Sequence, residues 1–327
     1  MTTQFRTIVT ADKTDIRIDY RRPVMMIGSC FTENIGACMA SELFPVMVNP
    51  NGVLYNPESI SKSLLRIISG KLYGKDELLK HDSVYHSMYH HSSFSGPDAD
   101  RVISRINFMQ SKAKEVLAVA SALIVTFGTA TVFYRLGEAV GNCHKLPAQE
   151  FERRRLSVEE TVGIWRDTLL RLREYNPGLK VIFTVSPIRY KAYGYHGSQT
   201  DKAVLLLAVD RMVSEFPDMA YYFPAYEIVL DDLRDYRFYD ADMIHPSAQA
   251  VEYVYEAFRT IFYNRETLQT AERCSKLNRR LSHRFIVDDP EARMVFEAET
   301  EKQVSQLSQI IPNLRSIISW HSSQHLK

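Results

Sequence analysis

Apolar residues gather in five short runs along the chain, at 24–28, 45–49, 122–128, 180–187 and 219–224. Several are rich in Val, Ile and Phe and lack a clean polar alternation, the pattern of strands covered on both faces. Between them the spacing of apolar positions changes to a helical one, around 33–43, 58–68, 99–119, 158–174 and 201–215. Strands that alternate with helices predict a doubly wound, mostly parallel sheet. In such sheets reactive groups collect beyond the carboxyl ends of the strands. Ser29, the 49–56 segment, Gly128–Ala130 and Ser186 each follow a predicted strand directly, which places them at one common site.

Two segments interrupt the alternation. Residues 70–97 hold His81, His86, His90 and His91 among Tyr, Ser and Phe, without the carboxylate or cysteine partners of a recognised metal spacing, so a polar loop bordering the site is expected. Residues 137–150 carry Asn142, His144 and Lys145. His144 reads as a structural histidine or as a substrate or oxyanion group just past the third strand. After a helix from Ser247 to about Tyr263 the composition shifts to Glu, Gln, Arg, Leu and Ser. Leu268, Ala271, Leu277 and Leu281 recur near helical spacing, Asp288-Asp289-Pro290 breaks the run, and a second helical stretch follows from Glu291. The expected organisation is an α/β domain over 1–263 and a helical appendage over 264–327. That appendage would pack on the sandwich or on a second subunit of a homo-oligomer, or act as a lid.

Candidate chemistry lies at two distant points. Ser29 ends the first strand in Gly28-Ser29-Cys30-Phe31, and Asp242 precedes His245 by three residues, just before Pro246 opens a helix. A serine hydroxyl is a weak nucleophile until a base takes its proton, and a carboxylate beside that base fixes its tautomer. Gly28 permits a tight strand-to-helix turn, with Thr32 as the expected N-cap, so the positive start of the helix favours a developing oxyanion. Asp240 competes with Asp242 for the carboxylate role, and Asp242 is preferred for its three-residue spacing. Cys30, at a helix start, is the rival nucleophile. Arg189, after the fourth strand, reads as an anion or sugar contact or as a surface ion pair.

These residues carry a resemblance. Gly28-Ser29-Cys30-Phe31, Asn49 through Pro57, Thr126-Phe127-Gly128-Thr129-Ala130, Asn142-Cys143-His144-Lys145, Phe183 through Pro187 and Asp231 through Ser247 stand in the order found in the bacterial GSCFA-domain family, which belongs with the SGNH (GDSL-like) hydrolases. The resemblance implies a three-layer α/β/α sandwich with a flavodoxin-like, SGNH-type sheet. It implies Ser29 as nucleophile, His245 as base and Asp242 as its orienting partner, and it implies a substrate contact at His90 and His91. The third SGNH block normally supplies an oxyanion-binding Asn, and Ala130 stands there instead. Gly52, Asn56, Gly128, Thr129 and Asn142 are the candidate replacements. The implied activity is serine acyl-ester hydrolysis through an acyl-enzyme, with a short acyl group on a carbohydrate as the substrate. An acyltransferase with the same triad, or a catalytically weak ligand-binding member, is the alternative.

Composition narrows the field further. With 40 basic and 39 acidic residues among 327, the chain has no electrostatic footprint for nucleic acid. Arg153-Arg154-Arg155, its densest basic run, reads as a solvated loop or helix face. No apolar stretch is long enough to span a membrane, and residues 1–20 lack a signal-peptide core, so a cytoplasmic location is expected. The four cysteines are widely spread and read as free thiols. Neither a metal nor a cofactor is expected.

Overall fold

The computed structural model describes residues 7–285 and 289–324, which leaves Asp288 and the first six residues of the 1–20 segment outside the described residues. The chain begins β1 (Val24–Gly28), α1 (Cys30–Ser41), β2 (Val46–Val48) and α2 (Pro57–Ser69). It continues through β3 (Leu78–His81), β4 (Val84–Ser87), α3 (Ala99–Val119), β5 (Ala122–Phe127), β6 (Thr131–Arg135), β7 (Glu138–Val140) and β8 (Glu152–Arg155). Next come α4 (Val158–Tyr175), β9 (Lys180–Val185), α5 (Gly194–Glu215), β10 (Ala220–Tyr222) and the short α6 (Ala225–Glu227). Four helices close the chain: α7 (Ala248–Phe262), α8 (Arg265–Leu281), α9 (Pro290–Ser308) and α10 (Leu314–Gln324).

The five apolar runs form one sheet in the order β10-β9-β5-β1-β2, with every pairing parallel. Counting only these strands, the order is 2-1-3-4-5, the flavodoxin-like doubly wound arrangement whose switch point lies between the first and third strands. Side chains in the strands alternate between two apolar layers. Val24, Met26, Ile124 and Ile182 join the layer of α1 and α7, while Met25, Ile27, Leu123, Val125 and Phe183 join that of α2 to α5. Both faces are buried, so each strand reads as a continuous apolar run rather than an alternating one. Ala271, Cys274, Leu277, Val304, Leu307 and Ile311 belong to the α1–α7 layer, so the C-terminal helices rest on the sandwich.

The differences from expectation are local. The 70–97 segment is not all loop, because β3 and β4 pair there as an antiparallel hairpin. The arginine triplet lies neither in a loop nor on a helix. It forms the exposed strand β8, paired with β6 in a three-stranded antiparallel sheet, because the partner strand supplies the pairing that the sequence pattern does not announce. Helix α5 starts at Gly194, seven residues before the expected 201. Pro246 lies ahead of α7 rather than at its first turn, and Ser247 is the cap, accepting from the Ala250 amide. Thr32 is not the cap of α1: the helix starts at Cys30, Ser29 is the N-cap residue, and Thr32 sits inside the first turn.

The tightest constraint is at the end of β1. Gly28 pairs with Thr126 of β5 at φ +147°, and a Cβ there would lie 2.2 Å from the Thr126 carbonyl oxygen. No side chain fits unless the two strands separate. Gly28→Ala is expected to lower the unfolding free energy by about 2 kcal/mol or more in urea titrations. A midpoint equal to wild type would show that the strand ends are not held this closely.

Candidate active site

A cavity of about 420 Å³ opens past the carboxyl ends of β1, β5 and β9. Its lining includes Cys30, Asn56, Thr129, Asn142, Arg189 and His245, and among the described residues none beyond 263 contributes to it. Five separate segments of the sequence, around residues 30, 55–56, 129–143, 188–193 and 244–245, thus meet at the switch point of the sheet. A separate groove of about 340 Å³ over α2 carries Lys62 and Arg66, but both cations are already paired, with Glu58 and Glu138 and with Glu77.

His245 and Asp242 meet in a tight turn in which Met243 takes φ +59°. His245 Nδ1 lies 2.6 Å from Asp242 Oδ2, while Asp242 Oδ1 accepts the backbone amides of Ile244 and His245 at 2.8 and 3.0 Å. The ionised carboxylate accepts only, so Nδ1 carries a proton, and Nε2 has no partner among the described residues. The His245 amide and ring, with the Ile244 amide, hold the Asp242 carboxyl down at about 2. Asp240 contributes through its backbone, donating to the His245 carbonyl at 2.8 Å and accepting from the Met243 amide at 2.9 Å. Arg189 makes no ion pair among the described residues. Its amide donates to Ile244 O at 3.3 Å and its guanidinium to Met243 O at 3.2 Å, bracing the Asp–His turn from the fourth strand.

Ser29 is wholly buried at the start of α1, and its amide donates to Thr126 O at 3.2 Å. Its Oγ has no hydrogen-bond partner among the described residues, so the structure does not join it to His245. The next residue, Cys30, lines the cavity. Burial pushes the Cys30 thiol above its ordinary range, with the Cys30 and Phe31 amides and Lys202 acting in the opposite direction.

The oxyanion candidates separate by what their donors already do. The Gly52 amide is spent on Asn49 O at 2.7 Å. The amides of Gly128 and Thr129 both donate to Tyr55 O, at 2.7 and 3.1 Å, and the Thr129 hydroxyl donates to the Asp201 carboxylate. Those three positions therefore have no donor left for a ligand. Asn56 and Asn142 differ. Asn56 Oδ1 accepts the Ser59 amide at 2.8 Å as the cap of α2, and Asn142 Oδ1 accepts the His144 amide at 2.8 Å. Each oxygen is locked by a backbone donor, which leaves each Nδ2 amide unpartnered among the described residues on a cavity-lining residue.

The histidines serve the scaffold. His90 lies between Ser87 Oγ at 2.7 Å and Asn51 Nδ2 at 3.0 Å, and burial lowers it to about 3, so it is neutral; it does not line the cavity. His91 accepts from the Ser93 amide at 3.2 Å and lies outside the cavity lining as well. His144 donates through Nε2 to Ser87 O at 2.8 Å, and burial lowers its pKa. These contacts tie the β3–β4 hairpin to the loop that presents Asn142. Among the described residues no group of three or more His, Cys, Asp or Glu side chains is placed to hold a metal ion.

Sequence reasoning missed Asp201 and Lys202 on α5. Buried Asp201 accepts Thr129 and Thr131 hydroxyls and pairs with Arg155 at 2.5 Å, while Lys202 Nζ donates to Gly128 O at 2.5 Å. The only signal was an Asp-Lys pair in a helix, which normally marks a solvated face.

Ten solved chains match this structure. One is a carbohydrate esterase family 2 enzyme with a carbohydrate-binding domain from Myceliophthora fergusii, at 13% identity and TM-score 0.39, covering 77% of this chain and 67% of that one. Another is a carbohydrate esterase family 3 protein from Talaromyces cellulolyticus, at 8% identity and TM-score 0.36, covering 77% and 98%. A third is the acetyl xylan esterase Est2A from Butyrivibrio proteoclasticus, at 11% identity and TM-score 0.36, covering 74% and 64%. Likeness at this level brings neither activity nor substrate with it. No curated protein matches in sequence. The GSCFA family matches residues 23–258, a span that contains every residue lining the cavity, and the protein belongs to the GSCFA family.

Proposed function

We propose that this cavity is the active site of an SGNH-type serine acyl-ester hydrolase working through an acyl-enzyme. The observation that carries the reading is His245, whose tautomer is fixed by Asp242 and whose bare Nε2 belongs to a cavity-lining ring beside the start of α1. His245 Nε2 takes the Ser29 proton as Oγ attacks the ester carbonyl, and the imidazolium then protonates the leaving alcohol. Water activated by the same nitrogen releases the acid. Asn56 and Asn142 are the side-chain donors for the oxyanion, supported by the uncapped first turn of α1, and they stand in for the donor absent at Ala130. The reaction needs a rotation that brings Ser29 Oγ and the half-exposed His245 ring into contact; catalytic hydrogen bonds of this kind commonly tighten only with substrate bound. Two amides, Arg189 and the stacked rings of Tyr190 and Tyr193, with centroids 5.6 Å apart, offer a surface suited to an acylated sugar. An alcohol that reached the acyl-enzyme ahead of water would make the same site a transferase.

A second reading takes Cys30 as nucleophile, favoured by its place in the cavity lining and opposed by the burial that raises its thiol. Labelling with a fluorophosphonate, mapped by peptide mass spectrometry, separates the two. The serine reading expects modification of Ser29, lost in Ser29→Ala, reduced at least about 10³-fold in His245→Ala and retained in Cys30→Ala. Label on Cys30, or an undiminished rate in Ser29→Ala, moves the chemistry to the thiol. A folded wild type that takes no label leaves a ligand-binding member of the fold. Asn142→Ala is expected to slow labelling by about 10²-fold, within the range for loss of one oxyanion donor.

The Asp242 carboxyl gives an independent check. Its native pKa, about 2, lies below the ordinary 3.8, so its contribution to the turn is full above that ordinary value and is lost as pH falls through about 2. Carboxyl ¹³C NMR should show a midpoint near 2 in wild type. A midpoint near 4 would mean that the Asp242–His245 pair does not persist in solution.

A further inference from the structure

Lys202 is buried to 2% exposure, in a position that stability alone does not explain. Among the described residues its Nζ has one hydrogen-bond acceptor, Gly128 O at 2.5 Å. The neighbouring Asp201 carboxylate is already occupied by Thr129, Thr131 and Arg155. The rings of Tyr190 and Tyr226 lie 5.7 and 6.0 Å from the amine. Taking an ammonium out of water with so little compensation is unfavourable, and an apolar residue would fill the same volume at no such cost.

The surroundings show what the charge can act on. Gly128 follows β5 directly, and β5 lies against β1 at Thr126, the residue whose carbonyl receives the Ser29 amide. Asp201 and Lys202, consecutive on α5, therefore grip the Gly128–Thr131 turn at both ends: Lys202 at the Gly128 carbonyl, Asp201 at the two threonine hydroxyls. Lys202 also couples electrostatically to Cys30 at the start of α1.

We propose that Lys202 is a positioning residue of the acyl-transfer site, its ammonium fixing the Gly128 turn and adding positive potential behind the start of α1 where negative charge develops on Ser29 and the substrate oxygen. This inference rests on the acyl-transfer reading. The titratable and charged groups facing the amine are Asp201 on its own helix, the Cys30 thiol on α1, and the phenols of Tyr190 after β9 and Tyr226 on α6, with Arg155 of β8 reaching it through Asp201. Burial lowers Lys202 to about 7, with Asp201 and then Cys30 opposing the shift. Its charge is present below that pH and lost above it.

The test compares the rate of fluorophosphonate labelling in wild type, Lys202→Gln and Lys202→Met from pH 6 to about 9. Glutamine keeps a donor for Gly128 O without the charge, and methionine removes both. Measured relative to Lys202→Gln, which shares the His245 base, wild-type labelling should decline as pH rises past about 7. Lys202→Gln should keep a cooperative thermal transition, label about ten- to a hundredfold more slowly at pH 6, and lack that decline. Lys202→Met should be at least as slow, and if it does not fold, Lys202→Gln carries the comparison alone. A Lys202→Gln rate equal to wild type at pH 6, or the same decline with pH in both proteins, would overturn the proposal. Failure of wild type to label overturns the acyl-transfer reading instead, so the two failures are told apart by which protein is silent.

Discussion

The contact between β1 and β5 at their carboxyl ends governs the rest of the site. Gly28 lies so close to the Thr126 carbonyl that only a glycine fits, and that approach is what places Ser29 at the first turn of α1 with its amide on the same carbonyl. Around this point the backbone is tied from several directions. Asn49 Oδ1 receives the Gly28 amide at 2.8 Å, Leu54 donates to Gly28 O at 3.0 Å, and Tyr55 O receives two amides from the turn after β5. The ends of β1, β2 and β5 and the loops that follow them thus form one hydrogen-bonded unit. A parallel sheet makes this economical, because every strand delivers its successor loop to the same edge.

In the proposed reading that unit divides its donors between structure and ligand. Backbone amides at Gly52, Gly128 and Thr129 hold the loops in place and are not available to a substrate. The donors left over are side-chain amides, Asn56 and Asn142, each held by its oxygen. A donor fixed in this way needs no reorganisation when charge develops, which is the property an oxyanion site requires. The Asp242–His245 turn follows the same logic: Asp242 receives three hydrogen bonds and Arg189 braces the backbone from β9, leaving a single nitrogen of the imidazole unpartnered among the described residues.

Much of the fold was legible because buried parallel strands leave an unmistakable trace. The runs at 24–28 and 122–128 need no partner to be recognised, since both of their faces are covered by apolar residues. Strand β8 left no trace, because Glu152–Arg155 is exposed along its whole length and owes its conformation to pairing with β6. The Asp242–His245 pair was visible from residue type and spacing, while Ser29, named from the same reasoning, is buried with its Oγ unpartnered among the described residues. The commitments of Gly52, Gly128 and Thr129 were not, because they depend on acceptors such as Tyr55 O, Asp201 and Asn49 O that only the folded chain brings near. Lys202 was hidden for a related reason: a lysine in an amphipathic helix reads as solvated, and its burial is a property of the packing of α5 against the turn after β5.

The central claim is that Ser29, served by His245 and by two locked amides, is the reacting group. A crystal structure of the protein after reaction with a phosphonate ester tests it most directly. The account predicts phosphorus bonded to Ser29 Oγ, its oxygen about 3 Å from Asn56 Nδ2 or Asn142 Nδ2, and His245 Nε2 turned toward Oγ. An adduct on Cys30, or a phosphoryl oxygen turned away from both amides, would contradict it.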